Sequence, residues 1–373
     1  MKINNLHTST NNGFHRVSVE VMGQSIWFES AEIELRPSPE AFASALLIPT
    51  LHHGKALEVE APLDSTWLAN VGRILPVTSE WWGYPEIPPQ GTEAVHPAVA
   101  SFRETALSFS GGVDSFYSLL RYPGKIDYLV FTMGFDMTWD DEVRFNAFRD
   151  TLNQAASRIG AKPIVIRTNL KEHPLFASGA SWERTHGGAL AAVGHLLGGA
   201  IGQFIVSSSI PRKRDKPWGS HWMIDEHWSS ANLRIVHFGE ERQRNEKLME
   251  IAGEPLLRNN LRVCWENRTP TGNCSVCEKC LRTRIALAMA GELENYTVFQ
   301  GEASLAQDID NLPRSSGMMI TFEEALKDHR ISPRIKRSIG ALIERSAKRR
   351  APSRRRVSAM AAWLKSWMGG LDR

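Results

Sequence analysis

At 373 residues and 41.8 kDa the chain exceeds one ordinary hydrophobic core, and 42% hydrophobic with 23% charged residues is a globular composition that excludes a largely disordered protein. A mean hydropathy of −0.28 argues against a multi-span membrane protein, and the most apolar stretch, Ala189 to Val206, is broken by His195, Gln203 and several glycines. The net charge of +3 is uneven: Lys336, Arg337, Arg345, Lys348, Arg349, Arg350, Arg354, Arg355 and Arg356 crowd around Glu344 near the C-terminus and leave the remainder acidic, so any attraction to an anionic partner is local.

The opening MKINNLHTST has no apolar stretch of the kind a secretory signal carries, so a cytoplasmic chain is expected. Val17, Val19 and Val21 alternate with polar residues, and Gly23-Gln24 offers a tight turn into Ile26 and Phe28. Ser38-Pro39-Glu40 reads as a helix start, with a capping residue before a proline at the first helical position. Leu57 and Val59 suggest another strand, and Asp64 is placed to cap a helix through Ile74. The Trp82-Gly83-Tyr84-Pro85 and Pro88-Pro89-Gln90-Gly91 segments have linker composition, so a separate α+β module is expected over 1–90.

From about Ala100 the pattern becomes alternating strands and helices, the mark of a parallel sheet with crossover helices. Strands are expected at Thr105–Phe109, Tyr128–Met133, Pro163–Arg167, Gln203–Ser207 and Arg234–Phe238, with helices at Asp140–Ile159 and Thr185–Leu197. The expected fold is α/β, a doubly wound and mostly parallel sheet over 100–300, followed by a helical, basic region over 301–373. In that last region Ile335, Ile339, Leu342 and Ile343 keep helical spacing, as do Met360, Trp363, Leu364 and Trp367. The arginines between them suggest either a solvated appendage or a docking arm for nucleic acid, an acidic protein or a membrane surface.

The strongest motif is Ser110-Gly111-Gly112-Val113-Asp114-Ser115, between the expected strand ending at Phe109 and a helix-like segment. Paired glycines allow close backbone approach to a ligand, the helix start adds a positive dipole end, Ser110 and Ser115 bring hydroxyls, and Asp114 is a Mg²⁺ ligand candidate. Gly-Lys-Ser/Thr is absent, so it is not a Walker A loop. The segment resembles the PP-loop of the N-type ATP pyrophosphatase superfamily, signature SGGxDS. That resemblance implies an adenine nucleotide alpha hydrolase-like fold, cleavage of ATP between its α and β phosphates, and a pyrophosphate cradle. It also places the strand ends at Met133-Gly134-Phe135-Asp136, near adenine, and Thr168-Asn169 as walls of the same site.

Cys264, Cys274, Cys277 and Cys280 follow the spacing Cys-x9-Cys-x2-Cys-x2-Cys and are the only cysteines in the chain. Four closely spaced thiolates make a closed tetrahedral site, and zinc is preferred to an iron–sulfur cluster because the pattern is one compact knuckle. With the upstream SGGxDS loop and the following Leu281-Arg282, it is similar to the 7-cyano-7-deazaguanine synthase (QueC-like) branch over Ala100 to about Ala290. The resemblance stops at the substrate segment. Pro217-Trp218-Gly219-Ser220-His221 and Ile224-Asp225-Glu226 stand where that branch carries an Asp-x3-Tyr-Pro-Asp-type sequence.

In this intervening loop Arg212, Lys213, Arg214 and Lys216 are placed to stabilise charge on the α-phosphate and the leaving pyrophosphate, Arg212 and Lys213 being assigned to catalysis beside Ser110 and Asp114. Trp218, Ser220, His221 and Asp225 are the substrate candidates, and Glu183, His186, Arg244 and Lys247 are polar residues with an ordinary structural reading beside a functional one. The expected activity, with ATP, Mg²⁺ and Zn²⁺, is adenylation of a small or nucleoside-like carboxylate or amide, followed by attack of ammonia or an amine. Thiolation-type modification of tRNA and a non-catalytic zinc module for nucleic acid or protein are the alternatives, and oligomerisation stays open.

Overall fold

A computed structural model describes residues 1–95, 104–177, 179–315 and 319–348, so Arg349 to Trp367 of the basic tail lie outside the described residues. The chain opens with an antiparallel meander, β1 (Lys2–Asn11), β2 (Phe14–Val21) and β3 (Gln24–Ser30), whose Val17, Val19, Val21, Ile26 and Phe28 are buried. Both hairpins turn on residue pairs with positive φ, Asn12-Gly13 and Met22-Gly23, the backbone that two-residue turns require. The second turn thus sits one residue earlier than expected.

Helix α1 (Pro39–His52) starts as its sequence implies: Ser38 Oγ accepts from the amide of Ala41, with Pro39 in the first turn. Two-residue strands β4 (Glu58–Val59) and β5 (Leu63–Asp64) lead to α2 (Ser65–Trp82), capped by Asp64 through the amide of Trp67 at 2.8 Å. This helix runs past Ile74 and through Pro76, ending at Gly83 in the left-handed region, because Trp67, Val71, Ile74, Leu75 and Thr78 keep one buried face. After β6 (Glu93–Ala94) come β7 (Glu104–Ser108), α3 (Val113–Arg121), β8 (Tyr128–Met133), α4 (Glu142–Ile159) and β9 (Lys162–Thr168). A short α5 (Pro174–Ala177), α6 (Trp182–Leu196), β10 (Ile201–Ser207), β11 (Arg234–Phe238), α7 (Arg244–Ile251) and α8 (Pro255–Asn260) follow.

Nine strands form one sheet in the order β11-β10-β7-β8-β9-β3-β2-β1-β4. The run from β11 to β9 is parallel throughout, so the fold is mixed α/β on a mostly parallel sheet. The first parallel strand, β7, lies in the middle of that run. The chain winds outward through β8 and β9, then returns to the other side of β7 for β10 and β11, so its direction reverses between β7 and β10.

The first 90 residues are not a separate module. β3 pairs antiparallel with β9 through Phe28↔Thr168 and Glu29↔Arg167, and α1 packs along α6, so both join the core of the parallel sheet. The proline-rich segment is a connection within one body, because β3 takes up the outer edge of β9 that the parallel strands alone would leave unpaired. The chain divides instead into a unit of Met1–Arg262 with Pro270–Gly272, and a second unit of Val263–Thr269 with the residues from Asn273 onward.

The second unit holds α9 (Glu278–Ala290), α10 (Glu302–Asn311), α11 (Ile320–Lys327) and α12 (Pro333–Lys348). Its core includes Leu281, Ile285, Leu305, Ile309 and Phe322. Ile335, Ile339 and Leu342 of α12 are buried too, and α12 packs on α10 and α11. This first amphipathic stretch is therefore part of the fold and not a solvated appendage. Fully buried Arg284 ties the unit together: its guanidinium donates to the Ser275 and Gly301 carbonyls at 2.9 and 2.7 Å, Asp308 at 2.7 Å and Ser304 at 2.8 Å. Among the described residues no helix is long and apolar enough to cross a membrane.

Candidate functional site

The Ser110–Ser115 loop lies at the carboxyl end of β7, beside the reversal point, where open parallel sheets leave a crevice. Gly111 has φ +72, and a Cβ there would come within 2.5 Å of the Phe148 ring on α4, so the position needs glycine. The Gly111 carbonyl accepts from the amide of Arg262 at 2.8 Å, which pins the loop. Gly112 begins α3 in extended conformation with no side-chain cap, so the dipole end of α3 is closed by no carboxylate or hydroxyl of its own cap residue. Ser110 and Ser115 face each other across the loop at 3.4 Å between hydroxyl oxygens, and Ser115 donates to the Gly112 carbonyl at 3.0 Å.

Asp114, buried in the first turn of α3, is the anchor of a cationic cluster. Arg244 pairs with its Oδ2, and the Lys247 ammonium lies 3.4 Å from its Oδ1. Lys247 is buried on α7 and also donates to the Ser208 carbonyl, just beyond β10, at 2.5 Å. Burial pushes the Lys247 pKa down, and Asp114 opposes that shift. Two cations on one carboxylate do not make a Mg²⁺ site of the protein's own; among the described residues the cysteines are the only group of three or more ligand side chains close enough to hold a metal. What the geometry presents is two cations, half-buried Arg244 and buried Lys247, paired with Asp114 at the start of α3. Nothing local in the sequence announces that α7 reaches α3, so Arg244 and Lys247 gain their place beside Asp114 only in the folded chain.

The expected walls differ from one another. Gly134, with φ +103, passes so close to β9 that a Cβ would meet the Thr168 carbonyl oxygen at 2.0 Å, so these two strand ends lie against each other. Thr168, however, is fully buried, and its hydroxyl donates to the Trp27 carbonyl at 2.7 Å. Its side chain secures β3 and also accepts from the Leu170 amide at 3.1 Å, so its hydroxyl is used within the fold.

The loop between β10 and β11 brings Ser220, His221 and Asp225 together, but as a buried scaffold. Asp225 accepts from Ser220 Oγ at 2.6 Å, the His221 amide at 3.1 Å and Nδ1 of His237 at 2.7 Å, and all three predicted residues are at most 3% exposed. His221 Nε2 pairs with Asp215, and burial pushes the His221 pKa down. His237, on β11, was not anticipated; its Nε2 is buried without a hydrogen-bond partner, and only its alternation on β11 could have marked it as inward-facing. Arg212, Lys213, Arg214 and Lys216 are exposed on this loop; Arg212 reaches Glu240 at 3.3 Å and stacks 4.5 Å over Trp222, and Lys216 lies 4.4 Å over half-buried Trp218.

In the second unit the four cysteines converge. Their sulfurs all lie within 4.8 Å of one another, with Cys264···Cys277 and Cys274···Cys280 each at 3.9 Å. A tetrahedral Zn–S₄ site with bonds of about 2.3 Å has sulfur–sulfur edges of about 3.8 Å, so the buried set fits zinc. Cys277 is also the N-cap of α9, and hydrogen bonds led by that from Cys280 hold its pKa down to about 5 against the opposing effect of burial. Cys280 is pushed up by that same hydrogen bond, and Cys274 chiefly by burial. Asn273 Oδ1 accepts from the amides of Val263 and Cys264 at 2.8 and 3.1 Å and closes the knuckle. No family model, curated protein or solved structure matches this chain.

Proposed function

We propose that the chain is an ATP-dependent, AMP- and pyrophosphate-forming enzyme on a doubly wound, adenine nucleotide alpha hydrolase-like sheet. Ser110–Ser115 is the phosphate cradle and a carboxylate or amide oxygen is the nucleophile. The observation that carries this reading is the placement of the loop: glycine-rich backbone and an uncapped helix start at the reversal point of a parallel sheet, with Arg244 and Lys247 converging on Asp114.

In this reading the Gly111 and Gly112 backbone and the Ser110 and Ser115 hydroxyls hold the β and γ phosphates. Mg²⁺ supplies charge neutralisation on those phosphates and comes with the nucleotide. Asp114 positions Arg244 and Lys247 to take up negative charge as the substrate oxygen bonds to the α-phosphorus and the bond to pyrophosphate breaks. Ammonia or an amine then displaces AMP from the adenylate, forming a C–N bond. Arg212 and Lys213 are close in sequence to Ser208, and their exposure suits contact with incoming substrate. Convergence of all four cysteines leaves no thiol to carry persulfide sulfur, which favours this chemistry over thiolation. Zinc is structural, since four thiolates leave no open position.

The test is ATP binding by calorimetry and AMP release with candidate carboxylates. Ser110→Ala and Asp114→Asn are expected to lose AMP formation while far-ultraviolet dichroism stays unchanged. Wild-type turnover in both variants, or no ATP binding by the parent chain, sinks the assignment.

A further inference from the structure

The ends of α2 and the β10–β11 loop share a feature the reaction above does not use. Trp81 and Trp82 form an edge-to-face pair with ring centroids 5.5 Å apart, backed by buried Tyr84 5.5 Å from Trp82 and by buried His221, edge-on 4.8 Å from Trp81 and itself 5.5 Å from Trp222. A second row runs from Trp182 through His186, 6.2 Å away, to Trp218, a further 5.8 Å. Arg184, one turn into α6, joins them, its guanidinium 5.7 Å from the Trp82 ring and donating to the Tyr84 hydroxyl at 3.0 Å. The five tryptophans Trp81, Trp82, Trp182, Trp218 and Trp222 are half-buried, and the Trp222 indole N–H is buried without an acceptor. Along the same loop stand the exposed cations Lys213, Arg214 and Lys216, with Arg212 and Lys216 already stacked on tryptophans.

We propose that this two-row aromatic and cationic surface binds single-stranded nucleic acid, with bases stacking on tryptophan and the loop cations on phosphates. Unpaired bases offer flat faces that a duplex hides, and each stacked base is worth roughly 1–3 kcal/mol irrespective of sequence. An acidic peptide would use the cations but lacks the flat π-faces that tryptophans stack best, whereas a single strand uses cations and aromatic rings together. The N-terminal segment acquires a role by this inference: it supplies Trp81, Trp82 and Tyr84, which the parallel sheet lacks. The loop departs from Ser208, the residue Lys247 holds, so the strand would be delivered to the carboxyl edge where the phosphate cradle lies. Its link to catalysis rests on the function proposed above, but binding is read without ATP, so the two readings fail separately.

The experiment is anisotropy of labelled twelve-nucleotide RNA and DNA single strands with the full chain, titrated against salt. Three phosphate contacts give a slope of about −2 in log K against log salt, or roughly a 20-fold loss between 50 and 200 mM. Arg214→Glu with Lys216→Glu should remove about two-thirds of that slope, whereas Trp218→Ala should weaken binding about tenfold and leave the slope unchanged. RNA tighter than DNA, or the reverse, identifies which polymer is bound. Equal binding of a heparin fragment, which has charge but no bases, overturns the proposal. So does a Trp218→Ala chain that binds as the parent does.

Discussion

The Ser110–Ser115 loop and the cysteine knuckle differ in what they offer a ligand. Both end at a helix N-terminus without a side-chain cap hydrogen bond, α3 at Gly112 and α9 at Cys277. The loop offers backbone and hydroxyls, held by a sheet strand on one side, the Arg262 amide on another and the Phe148 ring beneath. The knuckle offers four side-chain sulfurs, held by short turns and by Asn273. Main-chain ligands need a pre-built frame, so their site is as stable as the sheet. Thiol ligands repel one another once ionised, so their site is stable only when a cation occupies it.

The largest test of this contrast is metal removal. Cys277→Ser, or chelation, should abolish binding of about one zinc per chain, and structural zinc contributes on the order of 10–16 kcal/mol of apparent folding free energy in small domains. Amide exchange is expected to lose protection across 273–348 while β7, β8 and β9 keep theirs. A metal-free chain with full protection in that segment breaks the comparison, and visible charge-transfer absorption would assign iron–sulfur in place of zinc.

Arg284→Met comes next. It takes the guanidinium from two carbonyls and from Asp308, which keeps only the Ser304 hydroxyl at 2.8 Å, and breaking a buried ion pair by removing one partner costs about 3–5 kcal/mol. The loss should appear in denaturant melts of the zinc-loaded chain. A cost below about 1 kcal/mol would mean that the guanidinium network adds little to the second unit.

Glycine substitutions compare the two frames directly. Gly111→Ala meets both a left-handed backbone and the Phe148 ring, for a cost of about 2–4 kcal/mol. Gly272→Ala, φ +70 between Cys264 and Cys274 but with open space around it, should cost about 1 kcal/mol from backbone alone. Equal melting shifts would show that Phe148 ring packing beneath Gly111 contributes nothing.

The smallest effect is acid. His173, His195 and His221 are buried and their pKa values are lowered, mainly by burial. The unfolded chain takes up protons near the ordinary histidine value of about 6.5 while the folded chain does not, so stability is full above that pH and falls below it, by under about 1 kcal/mol per histidine at pH 6. Denaturant midpoints that stay flat from pH 7.5 to 5.5 would contradict it. Replacing His195, whose Nε2 lies 2.9 Å from the Trp228 carbonyl, with Gln should remove its share of the pH slope.

Much of this molecule was written locally. The Ser38 and Asp64 caps, the five parallel strands to within a residue or two, the glycine-dependent loop and the convergence of four cysteines all follow from short-range rules: an oxygen beside an amide, a strand's apolar run, thiols a few residues apart. Local rules could not show that β3 would complete the edge of β9, because any strand can satisfy an open edge and its choice depends on the whole chain. For the same reason local rules do not show that the Thr168 hydroxyl serves Trp27, or that Ser220, His221 and Asp225 form a buried hydrogen-bonded scaffold. Arg244 and Lys247 meet Asp114 only because the winding of the sheet sets α7 beside α3, a neighbourhood created by more than a hundred intervening residues. The sequence alone determined which side chains have chemistry to offer. The tertiary structure decided which of them face a ligand, because burial, and the pairing it enforces, is a property of the packed chain and not of any segment.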